Sequence, residues 1–241
     1  MANPPFAGDV KESRILAKYD LSRTATLEKL KNVPKGSKTV VGEPTFTDAL
    51  NNDGETVYQM SDGTFRKTKL KQATNMSRDI LFVERNLDFL KPGGRMAIVL
   101  PQGRFNNSSD KSLREYIADR CRILAIVGLH GNVFKPHTGT KTSVLFVQKW
   151  DDELCPKVDD YNIFFATMQE PSKDNSGDKI YRSTVDEEGN NIPLLDSHGH
   201  LIVKHDLFNH DGLTQDGIAE AFAEFAKKEH LSFFADAPLT K

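Results

Sequence analysis

The stretch 77-SRDILFVERNLDFLKPGGRMAIVLP-101 decides how this chain folds. Ile80, Val83, Leu87 and Leu90 recur at helical spacing on one face, and Ser77 stands where an N-cap belongs. Lys91-Pro92-Gly93-Gly94 stops that helix, since proline cannot continue it and glycine accepts a sharp reversal. The run that follows, 95-RMAIVLP-101, is continuously apolar and short, which reads as a strand buried on both faces.

The same unit then repeats. In 108-SSDKSLREYIADRC-121 a second helix is expected, capped near Ser109, with Leu113, Ile117 and Cys121 turned inward. Buried strands follow at 122-RILAIVGL-129 and 141-KTSVLFVQKW-150. The connection 130-HGNVFKPHTGTK-141 is a loop with no room for a crossover helix, so these strands are expected to pair antiparallel at the sheet edge. Helix and buried strand in alternation predict a doubly wound α/β sheet that ends in an antiparallel strand pair.

Outside this middle region the texture differs. Asp53-Gly54 and Asp62-Gly63 flank 55-ETVYQMS-61, the pattern of a strand in a small meander. Basic residues Arg66, Lys67, Lys69 and Lys71 crowd one run, 65-FRKTKLKQ-72. Beyond Trp150, 161-YNIFFATM-168 reads as a strand. The turns Glu188-Gly189-Asn190 and His198-Gly199-His200 each precede an apolar run, as successive hairpins would. Residues 215–230 form an amphipathic helix with Ile218, Phe222 and Phe225 on its apolar side. The expected division is therefore residues 1–150 and an α+β extension at 151–241.

Charge divides at the same place. Residues 1–150 carry 24 basic and 15 acidic side chains, whereas residues 151–241 carry 8 and 19. Either the first part meets a polyanion or the two parts complement each other. No apolar run approaches the roughly 20 residues of a membrane span. The N-terminus lacks a signal-sequence pattern, and two cysteines make no disulfide framework, so a reducing, cytoplasmic location is expected. His198, His200, His205 and His210 come without a helical His-x-x-x-His pair or a Cys-x-x-Cys, so surface turns account for them and no metal is expected. No phosphate-binding glycine loop occurs.

The remaining motif is 3-NPPF-6. Proline fixes φ and removes a backbone donor, so Pro4-Pro5 belongs to a turn and not to a helix interior or central strand. This tetrapeptide resembles the signature of methyltransferases that modify exocyclic amines, above all adenine N6 in DNA. The segments 87-LDFLKPGGRMAIVLPQGRF-105, 133-VFKPHTGTKTSVLFVQK-149 and 186-DEEGNNIPLLDSHGHLIV-203 are similar to those of modification subunits of type I restriction–modification systems.

The resemblance implies a partial Rossmann-like S-adenosylmethionine-dependent methyltransferase fold, the C-terminal half of the sheet with its extension. It implies that the Asn3 side-chain oxygen and the Pro4 carbonyl accept the two N–H groups of the target amine. Pro5 would stiffen that turn, Phe6 would stack on the base, and Phe134 would form the pocket's second wall. Arg66, Lys67, Lys69, Lys71, Lys135 and Lys141 become candidates for the DNA backbone. The implied partners are double-stranded DNA, a DNA-specificity subunit and a restriction subunit, in the cytoplasm of a bacterium or archaeon.

In that family the donor, S-adenosyl-L-methionine, lies on a glycine-rich turn upstream of the signature, whereas here the signature begins at residue 3. The chain is thus expected to be a C-terminal portion, inactive alone, with a companion chain able to supply the donor half. Two other readings stay open: a non-catalytic DNA- or protein-binding fragment, and methylation of an RNA or protein amine.

Overall fold

Ser77 occupies the N-cap position but accepts no backbone N–H there; its hydroxyl donates to Asp79 Oδ1 at 2.7 Å. At the other end Lys149 Nζ donates to the carbonyls of Leu87 and Leu90 at 2.8 and 2.9 Å. A cation at the carboxyl end of a helix is stabilising, because unpaired carbonyls concentrate negative charge there. Gly93 completes the stop at φ 68°. A side chain there would run into Leu154, so both conformation and space require glycine.

The computed structural model describes residues 1–51 and 56–234. The first elements in chain order are β1 (Asp9–Val10), α1 (Ser13–Leu16), β2 (Arg23–Lys29), β3 (Lys38–Val41) and α2 (Phe46–Asn51). Next come β4 (Thr56–Gln59), β5 (Phe65–Gln72), β6 (Met76–Ser77), α3 (Arg78–Phe89) and β7 (Arg95–Pro101). These lead to α4 (Gly103–Asn106), α5 (Lys111–Arg120), β8 (Cys121–Gly128), β9 (Thr142–Lys149) and β10 (Phe164–Thr167). A hairpin of β11 (Ser183–Val185) and β12 (Asn191–Pro193) and helix α6 (Ile218–Lys228) follow.

The principal sheet has the order β10-β8-β9-β7. Strand β9 is antiparallel to both β7 and β8, and β10 is parallel to β8. This corrects one expectation. The antiparallel strand is interior, and β10, from beyond residue 150, takes the edge. Burial explains the placement, because Leu145 and Val147 on β9 are buried whereas β10 alternates half-buried and exposed residues. A strand apolar on both faces belongs inside a sheet, and one with a wet face can sit at its margin.

Helices α3 and α5 pack against this sheet around Val83, Leu87, Ile98, Tyr116, Ile117, Cys121 and Val147. In the second helix Asp110, not Ser109, holds the N-cap position after a short 3-10 turn, and its side chain makes no capping bond. Helix α6 lies with Leu124 and Phe146, and its Phe222 and Phe225 meet Phe164 with ring centroids 5.5 and 5.6 Å apart. A second four-stranded sheet, β2-β5-β4-β3, contains the expected meander strand. The Asp53-Gly54 turn lies outside the described residues. Both expected turns at 186–190 and 196–200 form, each closed by an aspartate accepting backbone N–H bonds. No helix among the described residues is long and apolar enough to cross a membrane.

Candidate active site

Ala2 pairs in parallel with Ile98 in the middle of β7, its N–H donating to Ala97 and its carbonyl accepting from Val99 at 2.8 and 3.0 Å. The chain therefore runs alongside β7 in the same direction, and Asn3–Phe6 emerge at the carboxyl end of the principal sheet. That end is where open α/β sheets bind ligands. The loop between β8 and β9 leaves from the same end, closed at its neck by Leu129 N–H to Thr142 O at 2.9 Å.

This loop brings Phe134 onto Phe6. The ring centroids are 5.9 Å apart and the planes meet at 88°, edge to face. Two residues 128 positions apart thus share one aromatic contact. Asn3 is exposed and Pro4 buried. Among the described residues the Asn3 side chain and the Pro4 carbonyl have no hydrogen-bond partner, leaving two uncommitted acceptors on one turn.

Downstream of the turn, β1 pairs with β6, matching Asp9 with Ser77 and Val10 with Met76. Ser77 in turn accepts from Arg104 at 2.9 Å. The Arg104 guanidinium also donates to Asp79 at 2.8 and 2.9 Å and to Asp110 at 3.1 and 3.3 Å. Asp79 and Asp110 are both buried, and these carboxylates hold the guanidinium pKa above its ordinary range although burial opposes them. Arg104 thereby joins the segment after β7 to the starts of α3 and α5, and through β6 to the exit of the Asn3–Phe6 turn.

The loop carrying Phe134 is braced from the extension. Lys173 Nζ donates to the Lys135 carbonyl at 2.8 Å, and Asn132 Nδ2 donates to the Lys173 carbonyl at 3.0 Å. Gly177 lies so close to Pro136 that no larger residue fits without movement.

The basic candidates divide. Lys135 and Lys141 lie on the Phe134 loop, whereas Arg66, Lys67, Lys69 and Lys71 lie on β5 in the second sheet. Lys69 pairs with Glu28 at 2.7 Å, which raises its pKa, and Arg66 faces Asp62 at 3.6 Å. Lys67 and Lys71 have no ion pair among the described residues. His205 and His210 meet at 3.0 Å between their Nε2 atoms, but no group of three metal-binding side chains occurs among the described residues.

Sequence reasoning missed Arg104, Asp79 and Lys173. A charged residue directly after a buried strand, and an acid in the first turn of an apolar helix, were signals for the first two. Lys173 has no local signal.

A methyl donor of the nucleoside type needs an acceptor for its ribose hydroxyls, ordinarily a carboxylate. Two cavities flank this end of the sheet. One includes Met1, Val127, Phe146 and Phe222 and is lined by apolar residues alone; the other, beside Gln102, His130 and Thr167, has no acidic lining residue. Neither cavity fits such a donor by itself.

The profile of the N-6 DNA methylase family matches residues 16–188, a span beginning after the Asn3–Phe6 turn. The type I restriction enzyme EcoEI methylase subunit of Escherichia coli is 33% identical over 89 residues, 36% of this chain and 18% of that protein. The EcoKI methylase subunit of Escherichia coli strain K12 is 26% identical over 128 residues, 51% of this chain and 21% of that protein. The matched region thus spans about a fifth of each curated relative. A solved modification subunit from Vibrio vulnificus is similar across 83% of this chain and 35% of that one, at 16% identity and a TM-score of 0.37.

Proposed function

Because the chain belongs to the N-6 DNA methylase family, we propose that it forms the target-base side of an adenine-N6 DNA methyltransferase of a type I restriction–modification system. The observation that carries this reading is the turn at the end of the sheet, where Asn3 and Pro4 present two free acceptors beside Phe6 and Phe134. The exocyclic amine of adenine is a poor nucleophile, because its lone pair is delocalised into the ring. Its two N–H groups donate to Asn3 Oδ1 and the Pro4 carbonyl, which draws the nitrogen toward tetrahedral geometry and frees the lone pair. As positive charge develops on nitrogen, both hydrogen bonds strengthen, so the acceptors stabilise the transition state more than the bound base.

The adenine must leave the duplex to reach this turn. Phe6 and Phe134 meet edge to face, and in this reading the two rings together frame the extruded base. The net positive charge of residues 1–150 supplies phosphate attraction, with Lys135 and Lys141 on the loop itself.

S-adenosylmethionine is the proposed donor, bound by residues outside these 241 on the same polypeptide or a companion chain. The specificity and restriction subunits are the proposed partners. The misfit of the donor favours a second reading, in which the chain alone binds DNA without turnover. The test is methyl transfer to DNA by the assembly that completes the site, with products resolved by mass spectrometry. N6-methyladenine is expected, and its rate of formation should fall on the order of a hundredfold or more in Asn3→Ala. Parental transfer by that variant, or methylation confined to RNA or protein, would overturn the assignment.

A further inference from the structure

We propose that a second cleft at the carboxyl ends of β7, β8 and β10 holds a nucleotide of the DNA strand neighbouring the extruded adenine. This rests on the reading above and adds a binding site to it. The cleft encloses about 600 Å³, within the range of small-molecule sites and ample for one nucleotide. It includes neither Phe6 nor Phe134 in its lining, yet His130 and Lys141 stand at the two ends of the loop that carries Phe134. A ligand in it therefore lies beside the target-base turn and not within it.

Three observations select a nucleotide. First, the lining contains Lys141 and His130 but no acidic side chain, in a chain with 34 acidic residues. An anion meets no repulsion from these walls. Second, Gln102, Asn106 and Thr167 add hydrogen-bonding groups without a fixed charge, suited to base edges and sugar oxygens. Third, Phe165 stands in the lining and is 67% exposed. Its neighbour Phe164 packs beneath α6, and alternation along the strand turns Phe165 to the opposite face. An exposed aromatic ring in an uncharged or basic cleft is a stacking platform for a base.

The experiment titrates the 241-residue chain against a fluorescein-labelled oligodeoxynucleotide, single-stranded and duplex, over a range of salt. Phe165→Ala should weaken binding about tenfold, the effect of losing one stacked base. Lys141→Gln should lower the slope of log affinity against log salt by about one. Both positions are exposed, and a thermal melt checks that both variants fold. Photo-cross-linking with 5-iododeoxyuridine beside the target adenine should mark peptides holding Phe165 or His130. Parental affinity in Phe165→Ala, or cross-links confined to β5, would overturn the proposal. So would S-adenosylmethionine binding that Phe165→Ala abolishes, since the cleft would then serve the donor. Failure here is distinct from failure of the active-site reading, because Asn3→Ala tests transfer and leaves this cleft intact.

Discussion

At the scale of single residues, Asn3 and Phe6 should fail in different ways. In the completed enzyme Asn3→Ala removes an oriented acceptor and should lower turnover on the order of a hundredfold or more. DNA affinity should hold, because phosphate contacts dominate it; single-turnover kinetics beside equilibrium binding separates the two. Phe6→Ala should instead weaken retention of the extruded base, where stacking contributes roughly 1–3 kcal/mol. Arg104 belongs to stability. Replacing it with methionine strands Asp79 and Asp110, both buried, and breaking a buried ion pair on one side typically costs about 3–5 kcal/mol. Urea unfolding measures that loss, and a variant as stable as the parent would show that the carboxylates find water or protons instead. The proposed Asn3–Phe6 site could be picked out as a candidate because its motif lies in four consecutive residues. Arg104 could not, since its partners lie 25 positions upstream and 6 downstream, beyond the reach of periodicity.

At the scale of elements, the Phe134 loop depends on a brace from another part of the chain. Lys173→Ala removes the bond to the Lys135 carbonyl and should raise KM for DNA in the completed enzyme. It should leave the melting temperature nearly unchanged, because the lost contact is on a surface loop. Lys173→Arg should restore much of the effect. Equal losses in folding and activity would make the brace merely structural. The His205–His210 pair predicts a pH effect on folding. Burial, with His210 and Arg182 beside it, holds His205 below its ordinary pKa of 6.5, against the pull of Asp206 and Glu170. Below that pH the unfolded chain binds a proton that the folded chain resists, so this contribution to stability is lost on acidification and regained as pH rises. Urea midpoints between about pH 5 and pH 7 should show it, and His205→Asn should flatten the slope. Helices α3 and α5 and strands β7, β8 and β9 were legible, because burial on one or both faces writes a period into the sequence. The position of β9 was not. Its antiparallel pairing followed from a loop too short for a crossover, but which strand lies outermost depends on β10, a segment with only four paired residues.

At the scale of the whole molecule, the proposed contact of the basic part with DNA can be tested on the second sheet. Lys67 and Lys71 are unpaired among the described residues, whereas Lys69 is tied to Glu28. Glutamine at Lys67 or Lys71 should each lower the salt slope of DNA binding by about one, and glutamine at Lys69 by less. A slope unchanged from the parent in all three variants would place this strand away from DNA. A different consequence follows from the single rung between Ala2 and Ile98. The amides of β7 alternate in direction: those of Met96, Ile98 and Leu100 point toward β9, and those of Ala97 and Val99 point to the open side. On that side Val99 is covered only while Ala2 stays in place. Deuterium uptake along β7 should therefore be slow at every second residue, with Val99 intermediate. Its exchange rate becomes a clock for docking of the chain's first residues, readable in the isolated protein without donor, DNA or turnover.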